Sequence, residues 1–302
     1  MSSAAASASS ADAIARSRRR QHRLRILRSV LSHGVVILGG LFVIFPFFWM
    51  ITASFKTEWE AFLIPPTWIP TEWRWVNYHN ALFAYVPFGR YFLNTVLISS
   101  AVLVGRLLTA SLVAFAFARM RFFGRNVLFV LVLSTLMVPF QVTVIPLFII
   151  YRQVSLIDTY WPLIGPAWFG GGAFFIFLLR QFIMTVNPEL DDAARIDGCG
   201  WVGLYWRIVL PLITPALAAV AIFSFLWTWN DFFNPLIFLR SNDNFTLAVG
   251  LHFFASFASP TMRPVITEIM AGATLIMIPP LLLFFFAQKY FIQGVVFSGI
   301  KG

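Results

Sequence analysis

The sequence predicts an all-α membrane protein. It should have six transmembrane helices, both ends in the cytoplasm, and a cytoplasmic helix-turn-helix loop between helices four and five. Three observations predict this. The 302 residues are 59% hydrophobic and only 11% charged, with a mean hydropathy of +0.81; soluble domains carry roughly 25% charged residues. The apolar runs have the length of helices that cross a bilayer, not of barrel strands. The third observation is the distribution of Lys and Arg, which is lopsided across those runs.

Residues 1–29 form a separate arm. Ser2 to Ala11 is of low complexity in Ser and Ala and is expected to be disordered. Seven arginines follow between Arg16 and Arg28. The next apolar run, Val30 to Ile51, is longer than a signal-peptide core and no small-residue cleavage site follows it. It is expected to be the first span. Five more follow, at about Tyr91–Ala118, Asn126–Ile150, Trp161–Ile183, Leu212–Leu239 and Pro264–Ala287. With the N-terminus inside, fifteen Lys and Arg fall in inside segments and six in outside ones. Arg106 falls within a span. That bias sets the orientation. It accounts for the net charge of +10 by topology and anionic lipid, with no need for nucleic acid.

The outside segment Thr52 to Arg90 contains Pro65, Pro66 and Pro70 beside Trp59, Trp68, Trp73 and Trp75. Prolines should make it extended and semi-rigid, and the indoles suit the membrane interface. Stacking on a sugar is the other use for such rings. Pro139 and Pro146 fall in the third span and should kink it. Arg106 costs roughly 2.5–3.5 kcal/mol at mid-span on insertion scales. It therefore needs the bundle interior, a water-filled cavity or a carboxylate, and Glu268 and Asp231 are the candidates. The fifth span carries Asn230, Asp231 and Asn234 among aromatics, with residues 230 and 234 expected on one helix face. Two uses stand open for them: a hydrophilic path for a solute, or hydrogen bonds that hold the bundle together.

Asn187 to Pro211 is the longest polar interruption in the second half of the chain. It holds Glu189, Asp191, Asp192 and Asp197, four of the twelve acidic residues. Asn187 is placed to cap a helix, and the acids that follow face the positive end of its dipole. Gly198 stands where a left-handed residue would end that helix. A second helix then presents Trp201, Leu204, Tyr205 and Ile208 on one face, a shape suited to docking. Pro211 opens the next apolar run. The lone Cys199 sits at the tip of the loop.

Other chemistries find no support. No internal disulfide is possible with one cysteine. The four histidines and Cys199 form no metal-ligand cluster. There is no G-x-x-x-x-G-K-[ST] loop, Gly170–Gly172 lies in an apolar segment, and no catalytic triad is arguable. No cofactor and no catalytic residue is expected.

The Asp192-Ala193-Ala194 run, with Gly198 four residues on and Ile208, Leu210 and Pro211 at the right spacing, resembles a signature of ABC-importer permeases. That signature reads E-A-A-x-x-x-G, nine residues, then I-x-L-P, and Asp192 departs from its Glu by one methylene. The stretch from Trp229 to Leu236 is similar to the family's W-N-D-F-x-x-P-L. The segments Ser54–Glu60, Pro65–Pro70, Val76–Asn80, Tyr91–Thr95, Val138–Pro146 and the tail Gln288–Gly302 resemble maltose-type carbohydrate permeases. The resemblance covers about residues 35–302 and implies one permease domain over residues 30–302. It implies a subunit of an ATP-driven importer in the cytoplasmic membrane. Implied partners are two copies of an ABC ATPase, a second and different permease, and an extracytoplasmic solute-binding protein. Glu189, Asp192, Ala193, Ala194, Asp197, Gly198, Trp201 and Pro211 are then the residues that couple to the ATPase. Asn230, Asp231 and Asn234 are the candidates for a substrate path, with bundle hydrogen bonding still open, and Arg106 and Glu268 are the intramembrane charges of the spans themselves. Disaccharides, oligosaccharides, polyols and phosphorylated polyols all remain open as solutes. An ion-driven carrier and a membrane-embedded enzyme are the rival classes, weakened by the sparse intramembrane charge and the missing catalytic cluster.

Overall fold

The computed structural model of the chain describes residues 2–84, 86–256 and 266–299, with side chains from residue 25 to residue 288 within those limits. Every regular element among the described residues is helical. Arg263, Pro264 and the closing Ile300-Lys301-Gly302 lie outside them.

Helix α1 runs Ser2–Ser54. It takes in the arm whose composition suggests disorder; Ala and Arg are strong helix formers. Its apolar part, Arg25–Ser54, is long enough to cross a membrane and is almost wholly exposed. Leu31, Val36, Leu38 and Phe42 stand bare, as on a lipid-facing surface. Two short helices follow, α2 (Glu58–Ala61) and α3 (Val76–Phe83). The segment around them is knotted, not extended. Lys56 is fully buried, donates to the Thr67 carbonyl and lies 4.1 Å from the Trp49 ring. Burial pushes its ammonium down, partly offset by Glu60. Glu60 accepts from the Thr71 amide, and Asn77 donates to the carbonyls of Ser54 and Lys56. The four tryptophans remain exposed, as interfacial anchors would be.

The organising element is α4 (Phe88–Arg119). Its buried face includes Ser99, Gly105, Ala110, Ser111 and Ala114. Small residues let helices approach closely where no water drives them together. The expected third span is broken into α5 (Arg125–Ser134) and α6 (Phe140–Gln153), bent by 98°. Pro139 stands at the break, where it removes a donor; Pro146 is accommodated inside α6. The fourth span is interrupted too, as α7 (Trp161–Trp168) and α8 (Ala173–Thr185). Between them Gly171 has φ +70, and a Cβ there would stand 2.6 Å from that of Ala110 on α4. Glycine is what permits both the turn and the contact.

A loop of α9 (Glu189–Ile196), α10 (Trp201–Gly203), a π-helix (Leu204–Val209) and α11 (Leu210–Leu212) leads to α12 (Thr214–Trp229), bent by 77° from it. Then come α13 (Phe233–Phe238), α14 (Leu247–Ser256) and α15 (Ile266–Gly299). Among the described residues, four stretches are thus long and apolar enough to cross a membrane, and the two bent pairs bring the number to as many as six. One core joins the end of α4 to α8, the loop and the start of α12. A second joins the beginning of α4 to α14, α15 and the end of α12.

Candidate functional site

The sequence-predicted site residues fall mainly in two places: the loop from Asn187 to Leu212 and a cavity beside the end of α12. In the loop, Asn187 Oδ1 accepts from the Glu189 amide at 3.0 Å, and its Nδ2 donates to Glu189 Oε2. Helix α9 ends at a left-handed Gly198, φ +80. The Gly198 amide donates to the Arg195 carbonyl and the Cys199 amide to the Ala194 carbonyl. This is the Schellman arrangement, and it satisfies the helix's last carbonyls. A Cβ on Gly198 would touch nothing, so conformation alone demands glycine there.

The second half of the loop departs from expectation. A straight helix would bury Trp201, Leu204, Tyr205 and Ile208. Residues Leu204–Val209 instead wind as a π-helix. Its wider turn carries the inward face from Leu204 to Val209, leaving Ile208 half-buried and Trp201 exposed. That face does not stand free for a partner. Tyr205 bonds Ser111 Oγ at 2.7 Å and packs on Phe115, both on α4. The loop is tied to α4 again by Arg119 and Asp191, with 3.0 Å between Nε and Oδ2 and side-chain exposures of 8% and 10%. Arg119 Nη2 also donates to the Val186 carbonyl. Burial pushes the Asp191 carboxyl up, and Arg119 and Arg195 pull against it. The Arg195 guanidinium lies over Trp201 at 4.1 Å. Cys199 is half-buried and packs where Gly203 has no side chain, so it is a poor exposed tip.

What faces outward is a different set. Glu189, Asp192, Ala193 and Asp197 are exposed, whereas Ala194 is buried in the core. Pro211 is exposed inside α11. Leu190 and Ile196 are exposed apolar residues between the acids, Ile196 at 86%, and Val202 is exposed beyond them.

The cavity, of about 400 Å³, is walled by α4, α6, α7, α12 and α13. Asn230 and Asn234 do not share a helix face as expected, because α12 stops at Trp229 and α13 starts at Phe233. Asn230 turns back to the Leu226 carbonyl. Asp231 caps the new helix: Oδ1 accepts from the Asn234 amide at 3.2 Å and Oδ2 from Asn234 Nδ2 at 2.8 Å. Asp231 and Asn234 line the cavity.

Arg106 lines it as well, but neither expected carboxylate pairs with it. Its Nη1 donates to Ser224 Oγ at 3.0 Å, and its guanidinium lies 4.6 Å from the Phe175 ring. Asp231 is engaged by its own capping bonds. Glu268 lies on α15 and accepts from Asn80 of α3 at 2.7 Å. The ion pairs among the described residues are Arg119–Asp191 and Arg90–Asp243.

One organising residue has no sequence signature beyond a loop Asp. Asp158 has φ +64 and gathers the Arg240 and Ser241 amides, both at 2.9 Å, with Ser241 Oγ and Asn244 Nδ2. Burial alone would raise its carboxyl; these bonds outweigh it and hold it at about 2. The knot ties the α6–α7 connection to the segment after α13.

Comparison with known proteins completes the description. A family profile described as "Binding-protein-dependent transport system inner membrane component" matches residues 102–296. The chain is 38% identical over 282 residues to the arabinooligosaccharides transport system permease protein AraQ of Halalkalibacterium halodurans, covering 92% of this chain and 98% of that one. It is 32% identical over 275 residues to the sn-glycerol-3-phosphate transport system permease protein UgpE of Yersinia enterocolitica, covering 89% and 96%. A chain from the crystal structure of a bacterial ABC transporter that imports the acidic polysaccharide alginate superposes with a TM-score of 0.77 at 22% identity, over 88% of this chain and 96% of that one.

Proposed function

The chain belongs to the family of binding-protein-dependent transport system inner membrane components, and from that premise we propose that it is one permease subunit of an ATP-driven importer of a carbohydrate or related polyol. It lies in the cell membrane as a multi-pass protein, with six spans and both ends in the cytoplasm. The excess of Lys and Arg in the inside segments supports that orientation. Two copies of an ABC ATPase, a second permease and an extracytoplasmic solute-binding protein complete the importer. The chain itself performs no bond chemistry.

The observation that carries this reading is the division of labour within the loop. Its inner face is keyed to α4 by Tyr205, Asp191 and the surrounding apolar residues. Its outer face offers Glu189, Asp192, Asp197 and the exposed Leu190, Ile196 and Val202. An ATPase gripping the outer face would move the loop, and the loop would carry α4. The same helix places Arg106 in the cavity, some 20 Å along its axis from Arg119 at about 1.5 Å per residue. Nucleotide-driven closure of the ATPase dimer thereby rocks the wall of the solute path, which is alternating access.

The test is reconstitution with the partner subunits in liposomes. Uptake should require ATP on the loop side and should survive ionophores that collapse proton and sodium gradients. Uptake that stops with the gradients and ignores ATP would assign the chain to ion-driven carriers.

A further inference from the structure

Two residues of the cavity wall carry hydrogen-bonding atoms that the fold does not use. Thr246 is 4% exposed, lines the cavity, and its Oγ1 has no partner among the described residues. Arg106 Nε is likewise buried and without a partner. A buried polar atom left unpaired is destabilising, so each calls for a ligand or an ordered water. Trp227 and Tyr151 also line it and bring two aromatic side chains and one hydroxyl. A small set of convergent polar groups on an aromatic wall is the usual make-up of a small-molecule site.

The charges select the ligand class. Among the described residues the cavity lining holds one guanidinium, Arg106, and one carboxylate, Asp231, with no ion pair between them. An anionic solute would be drawn to Arg106 but repelled by Asp231, and a cation would meet the reverse. A hydroxyl serves both, accepting from Arg106 and Thr246 while donating to Asp231. We propose that this subunit itself binds the solute in this cavity, and that the solute is an uncharged polyhydroxylated ring, not a phosphorylated or uronate sugar. The inference rests on the importer reading above and deepens it.

The test is equilibrium dialysis on the importer in nanodiscs, assembled without its binding protein. Three labelled probes are used: a neutral pentose trisaccharide, glycerol 3-phosphate and a uronate trisaccharide. Saturable binding of the neutral probe alone is expected. Thr246→Val should weaken it about fivefold to tenfold, the worth of one hydrogen bond to a bound solute. Asp231→Asn should weaken it as well. A purely structural Thr246 predicts the opposite pattern: losing an unpaired buried hydroxyl leaves binding unchanged and the melting temperature equal or higher. Binding of an anionic probe that tightens in Asp231→Asn would overturn the neutral class. Absence of binding, or binding indifferent to both substitutions, would overturn the site and leave the unpaired atoms to water. ATP-driven uptake by wild-type liposomes separates the two levels: if it persists while the cavity binds nothing, this inference alone fails.

Discussion

The chain ends a helix twice at points that matter, and it does so in opposite ways. At Gly198 the end is closed. A left-handed glycine lets the Gly198 and Cys199 amides satisfy the last carbonyls of α9, so the turn closes on itself. At Trp229 the end leads into an irregular break. Helix α12 stops, α13 starts at Phe233, and the residues between bring Asp231 to a cavity wall. Irregular backbone at membrane depth is tolerated where it lines a cavity or is buried in protein. On the function proposed above, the first end belongs to the part that transmits force and the second to the part that meets a solute.

That contrast can be broken or sharpened by substitution. The largest effect is expected at the link between the two regions. Arg119→Gln strands the buried Asp191 carboxylate, at a cost of about 3–5 kcal/mol for breaking a buried pair. The purified complex should melt at lower temperature and lose coupling of ATP hydrolysis to uptake. Asp191→Asn in the same chain should restore much of the stability; no recovery in the double variant would mean the two residues act separately. Gly198→Leu comes next. A left-handed bulky residue costs roughly 1–2 kcal/mol. Insertion should persist while ATP-driven uptake falls about tenfold, and normal uptake would remove the turn from the mechanism.

A smaller effect belongs to Asp158. Its folded carboxyl is held at about 2, below the ordinary value near 3.9 for Asp. The knot's stabilisation is therefore complete above about pH 4 and is lost as pH falls towards about 2. Asp158→Asn should flatten the acid side of a melting-temperature profile; an unchanged profile would show that the knot does not titrate. The smallest effect is expected for Arg90→Gln. Its partner Asp243 is 3.0 Å away, but both side chains are more than half exposed. Such pairs contribute about 0–1 kcal/mol, so a drop in melting temperature of several degrees would be too large for this account.

The two regions were not equally legible. The loop could be read because its determinants are local: Asn187, the acids and Gly198 lie within one helix and its turn. What sequence could not supply was the π-helix over Leu204–Val209, which moves burial from Ile208 to Val209. Nor could it supply Tyr205's contact with Ser111, 94 residues away. The cavity was harder still. Hydropathy averaged over Leu212–Leu239 reads as one span, and nothing in that average marks a stop at Trp229. Arg106 stands out in the sequence as an arginine within an apolar run, but its partners are a serine and a phenyl ring on other helices, which carry no charge to search for. Asp158 acts through backbone amides of residues more than 80 positions away, and backbone donors leave no trace in a sequence.

On the proposed function, the outer face of the loop is where an ATPase takes hold. Cys199 is half-buried, so the direct measurement places the thiol at Ile196, which is 86% exposed. An Ile196→Cys, Cys199→Ala chain in native membranes would be treated with a short bifunctional maleimide and the product identified by mass spectrometry. The account predicts attachment to a subunit bearing a G-x-x-x-x-G-K-[ST] loop, with a yield that changes when ATP is bound. A thiol that labels freely from the cytoplasm yet never captures such a subunit would contradict it.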